Sequence, residues 1–135
     1  MKEILFRGKD FDGKWRYGFP FITWHNAPKI RWYSIGDMTD GIWKSSQVYK
    51  ESFNPFTGAY DKEDNRIFEN DIVKIDGEKE PALVKYNDDK GCFYLETSTC
   101  IFDFCNKDHF TVIGNAFEDD IKKIKISWFI RWNIL

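Results

Sequence analysis

The sequence predicts a mostly β chain whose second half forms a small closed barrel. Helical periodicity is scarce, whereas short runs of alternating apolar and polar residues recur between turn residues, which is typical of strands. Aromatic residues make up 19% of the 135 residues, and aromatic side chains favour half-buried strands. A chain of this length buries roughly two thirds of its unfolded surface, so one core can form without disulfides or metals.

The first half contains three strand candidates separated by turn residues. Gly8 and Gly13 bracket the first turn, where a glycine adopts positive φ at little cost. The segments "HNAPK" (25–29) and "GDMTDG" (36–41) are predicted to break the chain on either side of the third strand. The candidates are "EILFR" (3–7), "KWRYGFPFI" (14–22) and "IRWYSI" (30–35).

Residues 44–60 leave two interpretations open. The stretch "SSQVYKESF" fits either one helical turn or an edge strand, and Pro55 and Gly58 predict a loop before the second half. We therefore expect a β-rich N-terminal part over residues 1–60.

The pattern is more regular from residue 66 onward, where breakers such as "DGEKEP" and "NDDKG" separate several short runs. Five or six short strands in succession favour closure, because a closed barrel has no unpaired edges. We therefore expect a barrel over residues 61–120. The runs are "RIFE", "DIVKI", "PALVKY", "CFYLET", "CIFDF" and "FTVIG".

The corner of "RIFENDIVKI" (66–75) is predicted to be a structural turn. Asn70 occupies a position where a tight turn often requires positive φ, which Asn tolerates better than most residues. Asp71 follows it and can accept hydrogen bonds from nearby amides. Turn geometry and strand packing account for this segment without a catalytic role.

The last segment, "IKKIKISWFIRWNIL" (121–135), alternates apolar with basic or polar residues, with Phe129 as the exception. A helical interpretation also remains open, because Ile and Trp residues three or four apart share one helix face. We prefer a strand because β-branched and aromatic residues dominate. Its apolar face must be buried on its own domain or on another subunit. The candidate interface residues are Lys123, Lys125, Trp128, Ile130, Arg131 and Trp132.

Charge is distributed unevenly, although the formal net charge is only −2. Residues 1–60 carry nine Lys or Arg and six Asp or Glu, residues 61–120 carry seven and sixteen, and residues 121–135 carry four and none. The three segments thus carry +3, −9 and +4. The acidic middle repels phosphate, whereas its charge favours docking of the basic tail within one chain or between copies.

The sequence predicts a cytoplasmic protein with no membrane partner. It contains no run of about 18 apolar residues, and the start "MKEILFRGKD" lacks the apolar stretch of a secretory signal. Cys92, Cys100 and Cys105 are an odd number without a secretory context, so no disulfide framework is expected.

Three blocks of the sequence carry a family resemblance. They are "KEILFRGKDFDGKWRYGF" (2–19), "FTGAYDKEDNRIFENDIVKI" (56–75) and "VIGNAFED" (112–119). Together and in this order they resemble the YopX family of phage and prophage proteins. That family opens with a "KFRGK" strand, a Gly turn and a "W-x-YG" strand, and continues with "YTGLKDKNGKEIYEGDIV" and "VIGNIYEN".

The resemblance implies an SH3-like β-barrel in the second half, a β-rich N-terminal part packed against it, and an origin in phage or prophage DNA within a bacterial host cell. It implies no activity, catalytic residue or cofactor. Glu63 and Asp64 depart from the family's Asn-Gly, and Asn70 replaces the Gly of its "EGD". These residues still favour turns. The segment after residue 120 lies outside the resemblance.

No metal site is predicted, although Cys92, Cys100, Cys105 and His109 could supply four zinc ligands. Structural zinc sites use Cys pairs two to four residues apart, whereas the gaps here are seven, four and three residues. We expect core cysteines that act as small hydrophobes and a surface His.

Other cofactors and catalysis are not predicted either. "DKEDN" (61–65) resembles the start of a calcium loop, but Arg66 stands where that loop requires Gly, so a solvated turn explains its charge. Only His25 and His109 are available as histidines, and no Ser, Cys or Thr lies in a recognisable nucleophile motif.

Basic residues alternate with aromatic rings in the first half and could form a platform for single-stranded nucleic acid. Alternation, however, puts Trp15, Tyr17 and Phe19 on one face of a strand and Lys14 and Arg16 on the other. A stacking platform requires rings and positive charges on the same face. The candidate nucleic-acid contacts are Lys14, Arg16, Lys29 and Arg31.

We therefore predict a non-enzymatic binding module without a cofactor, which acts through an unknown protein partner or through its own copies. Two alternatives remain open at this point. One is nucleic-acid binding through the first half, and the other is an acidic DNA-mimicking inhibitor of a host protein.

Overall fold

A computed structural model describes residues 4–25, 30–104 and 107–119 of the chain. These residues form β-strands and two short 3-10 helices, and no α-helix occurs among them. The mostly β fold predicted from the alternation is confirmed. The predicted tail, 121–135, lies outside the described residues, and its strand-or-helix question stays a prediction. Its candidate residues are Lys123, Lys125, Trp128, Ile130, Arg131 and Trp132.

The described residues contain eleven strands. They are β1 (Phe6–Lys9), β2 (Trp15–His25), β3 (Ile30–Thr39), β4 (Ile42–Val48), β5 (Asn54–Tyr60), β6 (Arg66–Phe68), β7 (Asp71–Ile75), β8 (Ala82–Asn87), β9 (Cys92–Glu96), β10 (Ile101–Phe102) and β11 (Phe110–Asn115). The 3-10 helices span Lys50–Ser52 and Lys107–His109. The chain divides into two compact units, Met1–Phe56 and Thr57–Leu135.

The first unit is built on an antiparallel sheet in the order β4-β3-β2-β1-β5. Ile35 and Val48 are buried on one face of this sheet. The ring of Phe53 packs edge-on against Phe6 and Tyr33, with centroids 4.9 Å and 5.3 Å apart. These aromatic and branched side chains give the first unit a core of its own.

The break predicted over residues 36–41 is wrong for most of that segment. β3 continues to Thr39, and only Asp40 and Gly41 turn, with φ of 53° and 75°. Positive φ at both central residues of a two-residue hairpin is type I′ geometry, for which Asp-Gly is a favoured pair. The prediction was wrong because several turn-forming residues occur together here, and only the register with β4 distinguishes the two that turn.

Residues 44–60 contain both an edge strand and a helical turn, the two interpretations that the sequence left open. β4 occupies the start of the segment, and the helical turn is limited to the 3-10 helix at Lys50–Ser52. The loop predicted from Pro55 and Gly58 is wrong, since both residues lie within β5. Pro55 is near the start of its strand, where a missing N–H is tolerated, and Gly58 has φ of 87°.

The second unit contains a five-stranded antiparallel sheet in the order β10-β9-β8-β7-β11. Residues opposite each other share a face, and the register pairs Val73 with both Ala82 and Val112, and Val84 with Leu95. Alternate side chains therefore point into one core. Its buried members are Ile67, Val73, Ile75, Ala82, Val84, Leu95 and Phe110.

The closed barrel predicted over residues 61–120 is not observed in the described residues. β10 and β11 stand at opposite ends of the strand order and are not paired with each other. β10 has only two residues, so it offers little backbone for a further ladder. Alternation predicts which side chains enter a core, but it does not determine whether the sheet that surrounds the core closes.

The corner of "RIFENDIVKI" is a tight turn between β6 and β7. Asn70 has φ of 69°, the left-handed conformation that this turn requires. The Asp71 side chain is buried, and its Oδ2 accepts a hydrogen bond from the Phe68 N–H at 2.8 Å. The Asn70 N–H donates to the Val84 carbonyl at 3.0 Å. Both residues hold the backbone in place.

Candidate functional site

Large apolar side chains are exposed together on one face of β2, β3 and β4. Opposite residues of antiparallel strands share a face, and the register pairs Phe19 with Gly36 and Met38 with Trp43. We call this surface the ring face. It consists of Phe19, Phe21, Trp32, Met38 and Trp43.

The ring face is organised around a glycine. A Cβ atom on Gly36 would lie 2.2 Å from Cζ2 of Trp43, so the indole lies directly on the backbone of β3. The Trp43 ring is 6.2 Å from that of Phe21. Met38, Phe19 and Trp43 nevertheless remain 64%, 56% and 50% exposed. An exposed apolar patch of this kind is a candidate interaction site.

β1 adds positive charge to the same face of the sheet. Arg7 is opposite Tyr17, and Lys9 is opposite Trp15. The guanidinium carbon of Arg7 lies 5.0 Å from the Trp15 ring centroid, and Nζ of Lys9 lies 5.8 Å from it. The sequence argument separated rings from charges because it considered β2 alone, whereas the neighbouring strand brings them together.

The far end of the β2–β3 hairpin has no further strand beside it among the described residues. β1 pairs with β2 only up to Gly18, and β4 pairs with β3 only from Tyr33 onward. We call the remaining two-stranded part, Ile22–His25 with Ile30–Trp32, the arm. Two strands alone are marginally stable in water. The arm therefore depends for its stability on the sheet that it extends.

Trp24 and Arg31 form the most distinctive pair on the arm. They are directly opposite each other, on the face that points away from the ring face. The Arg31 guanidinium carbon lies 4.4 Å from the Trp24 ring centroid, a cation–π contact, while Trp24 stays 56% exposed. This pair depends on the register between β2 and β3, which the alternation pattern does not supply. Counting outward from the predicted break at 25–29 would place Trp24 opposite Ile30, one residue out of register.

The structure does not bring together the four predicted nucleic-acid contacts. Arg16 forms an ion pair with Asp10, with 2.8 Å between Nε and Oδ2, and the Lys14 N–H donates to Oδ1 of Asp10. Arg16 precedes Trp24 by eight residues, so roughly 26 Å of strand separates it from the arm. Arg31 lies on the arm, and Lys29 lies outside the described residues.

Asp10 is held ionised by these contacts. The hydrogen bond from the Lys14 amide lowers the pKa of Asp10 most, burial opposes it, and Arg16 lowers the pKa further. A carboxylate committed to a turn and an arginine in this way is a structural group rather than a proton donor.

Glu69 is a carboxyl group whose pKa is raised. Burial raises the pKa of Glu69, and the negative charge of Asp88 raises it further. A raised pKa alone does not indicate catalysis, because structural neighbours also perturb carboxyl groups.

The cysteine prediction is wrong where the structure describes it. Cys92 and Cys100 are exposed rather than buried in the core, because Cys92 begins β9 outside the part that pairs with β10 and Cys100 lies in the turn before β10. Cys105 lies outside the described residues, and His109 is exposed. In the part of the chain that the structure describes, His, Cys, Asp and Glu form no group of three or more that could hold a metal ion.

Within the three described ranges, no helix is long and apolar enough to cross a membrane.

Comparison with known proteins identifies the family. The sequence model of the YopX protein family matches residues 5–121, which includes most of both units. A comparison with curated proteins finds no match. The three sequence blocks therefore belong to one continuous match, and the chain belongs to the YopX protein family.

Proposed function

We propose that this YopX-family protein is a non-enzymatic binding module that acts through protein contacts, including contacts between its own copies. The observation that carries the proposal is the ring face, where Met38, Phe19 and Trp43 are each at least half exposed. Aromatic residues and Met are enriched at the cores of protein interfaces. Burial of these side chains by a partner would remove apolar surface from water.

We propose that the acidic second unit and the basic tail add to this binding. The segment 61–120 carries −9 and the segment 121–135 carries +4. Exposed carboxyl groups such as those of Asp76 and Glu78 contribute to the negative surface. Complementary charge favours association and orients the partners.

We also propose that the second unit is related to SH3-like domains, as the family resemblance implies. The support is its connectivity: β7 to β10 follow one another as a meander, and β11 returns after a 3-10 helix to pair with β7. Closure of the sheet is not part of this proposal. Such a scaffold fits a binding role, although one fold hosts many functions.

The test replaces two ring-face residues together, Met38→Ser with Trp43→Ser. Sedimentation velocity over a concentration series measures self-association, and we expect the double variant to associate more weakly than the native protein. Ile101→Ser is the matched control, because Ile101 is 70% exposed but belongs to β10. This control should associate like the native protein.

A second measurement covers a partner other than a second copy. Immobilised native protein and the double variant are compared for the proteins that each retains from host lysate. We expect the variant to lose at least one partner that the Ile101→Ser control keeps. The proposal is lost if the native protein is monomeric and both immobilised proteins retain the same set.

A further inference from the structure

We infer that the arm binds single-stranded nucleic acid, with a base stacked on Trp24 and a phosphate contacted by Arg31. The arm belongs to the first unit, and its Trp24 face points away from the ring face. The inference therefore goes beyond the proposed protein contacts and does not depend on them.

The first support is charge. Residues 22–32, "ITWHNAPKIRW", hold Lys29 and Arg31 and no Asp or Glu. The nearest carboxyl groups in the sequence are those of Asp12 and Asp37. A phosphate backbone near the arm thus meets positive charge, and the arm itself contributes no carboxylate. Attraction of phosphate by Lys and Arg supplies most sequence-independent affinity.

The second support is geometry. A stacking site needs a ring and a positive charge on one face, and the register supplies both, since Arg31 lies opposite Trp24. Ile22 lies two residues before Trp24 and on the same face, and it is 45% exposed. Side chains two residues apart are about 6.6 Å apart along a strand. Ile22 thus extends the contact surface beside the indole for a neighbouring nucleotide.

Single strands fit this surface better than the other candidates. In a duplex the base faces are covered by stacking, so Trp24 would have no ring to contact, whereas bases of a single strand are available. A second copy of the arm is disfavoured because the two positive arms repel each other.

The contact between Trp24 and Arg31 could also serve only to stabilise the exposed hairpin. Stability measurements do not distinguish these roles. The test must therefore measure binding by the full chain. The single-stranded probes are fluorescein-labelled oligothymidylate and oligouridylate. The comparison probes are the matching duplexes and vesicles with and without anionic lipid.

Fluorescence anisotropy measures the affinity at low and at physiological salt. We expect the chain to bind the single strands, and we expect the affinity to fall as salt rises. Trp24→Leu should weaken binding about tenfold, whereas Trp24→Phe, which keeps a ring, should retain most of the affinity. Arg31→Gln should reduce the slope of log K against log salt by about 0.7. Tyr86→Leu is the control, because Tyr86 is an aromatic residue of β8 that is 41% exposed and lies outside both the arm and the ring face, and it should bind like the native chain.

Four results would overturn the inference. They are no binding of single strands at low salt, equal binding of the duplexes, equal affinities of Trp24→Leu and the native chain, and binding of anionic vesicles instead of oligonucleotides. Failure of the Met38→Ser with Trp43→Ser test, by contrast, affects only the proposed protein contacts.

Discussion

Asp64 and Asn70 occupy backbone conformations that most side chains disfavour. Their φ angles are 62° and 69°, and both positions correspond to Gly in the family pattern that the sequence resembles. Asp and Asn tolerate this region better than other residues with a side chain. The two departures from the family pattern thus keep the turns, because they use the residues that come closest to Gly.

Asp64→Gly should stabilise the protein. Removal of the side chain relieves the strain of the left-handed conformation. The extra conformational freedom of Gly in the unfolded chain offsets part of this gain. The net effect should raise the free energy of unfolding by about 0.5 kcal/mol. Urea denaturation measures the change. Glu63→Gly, at a neighbouring position without positive φ, should lower stability instead. Equal effects of the two substitutions would contradict the explanation.

Asp61 is a fully buried carboxylate that organises the turn between β5 and β6. Its Oδ1 accepts hydrogen bonds from the N–H groups of Glu63 and Asn65, both at 2.9 Å, and its Oδ2 accepts one from Val112 at 3.0 Å. The solvated turn predicted for "DKEDN" therefore contains one buried residue, and its carboxylate joins this turn to β11.

Asp61→Ala should destabilise the protein by about 2–4 kcal/mol, because several amides lose a charged acceptor at once. Asp61→Asn should cost less, since its carbonyl oxygen still accepts hydrogen bonds. Asp89→Ala, at an exposed position, is the control and should change the free energy of unfolding by less than about 0.5 kcal/mol. A similar loss for Asp61→Ala and the control would exclude this structural role.

The pH dependence of stability should carry the signature of Asp61. Burial acts to raise the pKa of Asp61, but hydrogen bonds from Val112, Asn65 and Glu63 outweigh it and hold the pKa below the ordinary value of 3.8. Because the folded pKa is the lower one, the contribution is complete above the unfolded value and is lost as pH falls through the folded value.

The stability difference between the native chain and Asp61→Asn is therefore expected to be constant near neutral pH and to shrink as pH falls below 3.8. Thermal unfolding at a series of acidic pH values measures it. Comparison of the two proteins removes the opposite contribution of Glu69, whose raised pKa is common to both. A difference that grows on acidification would reverse the assigned sign.

At the scale of strands, alternation was sufficient to locate the strands of the second unit, but it was insufficient for the closure of their sheet and for the candidate sites. The runs after residue 66 predicted β6 to β11, and buried residues of β6, β7, β8, β9 and β11 share one core. The arm and the ring face were missed because they depend on which residues lie opposite each other. The positive charge beside Trp15 likewise comes from Arg7 and Lys9 of a different strand, so a reading of β2 alone could not find it.

The packing of β1 gives the prediction at this scale. A Cβ atom on Gly8 would lie 2.5 Å from Cγ2 of Val48, which is only 3% exposed and has little room to move. Gly8→Ala should therefore lower the free energy of unfolding by about 1–3 kcal/mol through overpacking. Val48→Ala should also destabilise, because it removes buried methyl groups.

The double variant separates overpacking from other causes. Gly8→Ala combined with Val48→Ala should be less destabilising than the sum of the single changes, because the smaller side chain gives the new methyl group space. Chemical denaturation of the four proteins completes the cycle. Strict additivity would show that Gly8 is required for some other reason.

At the scale of the whole chain, charge and apolar surface suggest two different modes of association. The segments 61–120 and 121–135 carry −9 and +4, so the proposed docking of the second on the first would be electrostatic. The proposed contacts through the ring face would be apolar. These modes respond differently to salt. The distance over which charges attract each other, the Debye length, falls from about 30 Å at 0.01 M to about 3 Å at 1 M, whereas apolar contacts are not screened.

We expect self-association of the full chain to have a part that weakens as salt rises and a part that does not. Deletion of residues 121–135 should remove the first part, and Met38→Ser with Trp43→Ser should remove the second. Sedimentation velocity at low and high salt measures both in each protein. If the deletion leaves the salt response unchanged, the tail does not dock on the acidic segment.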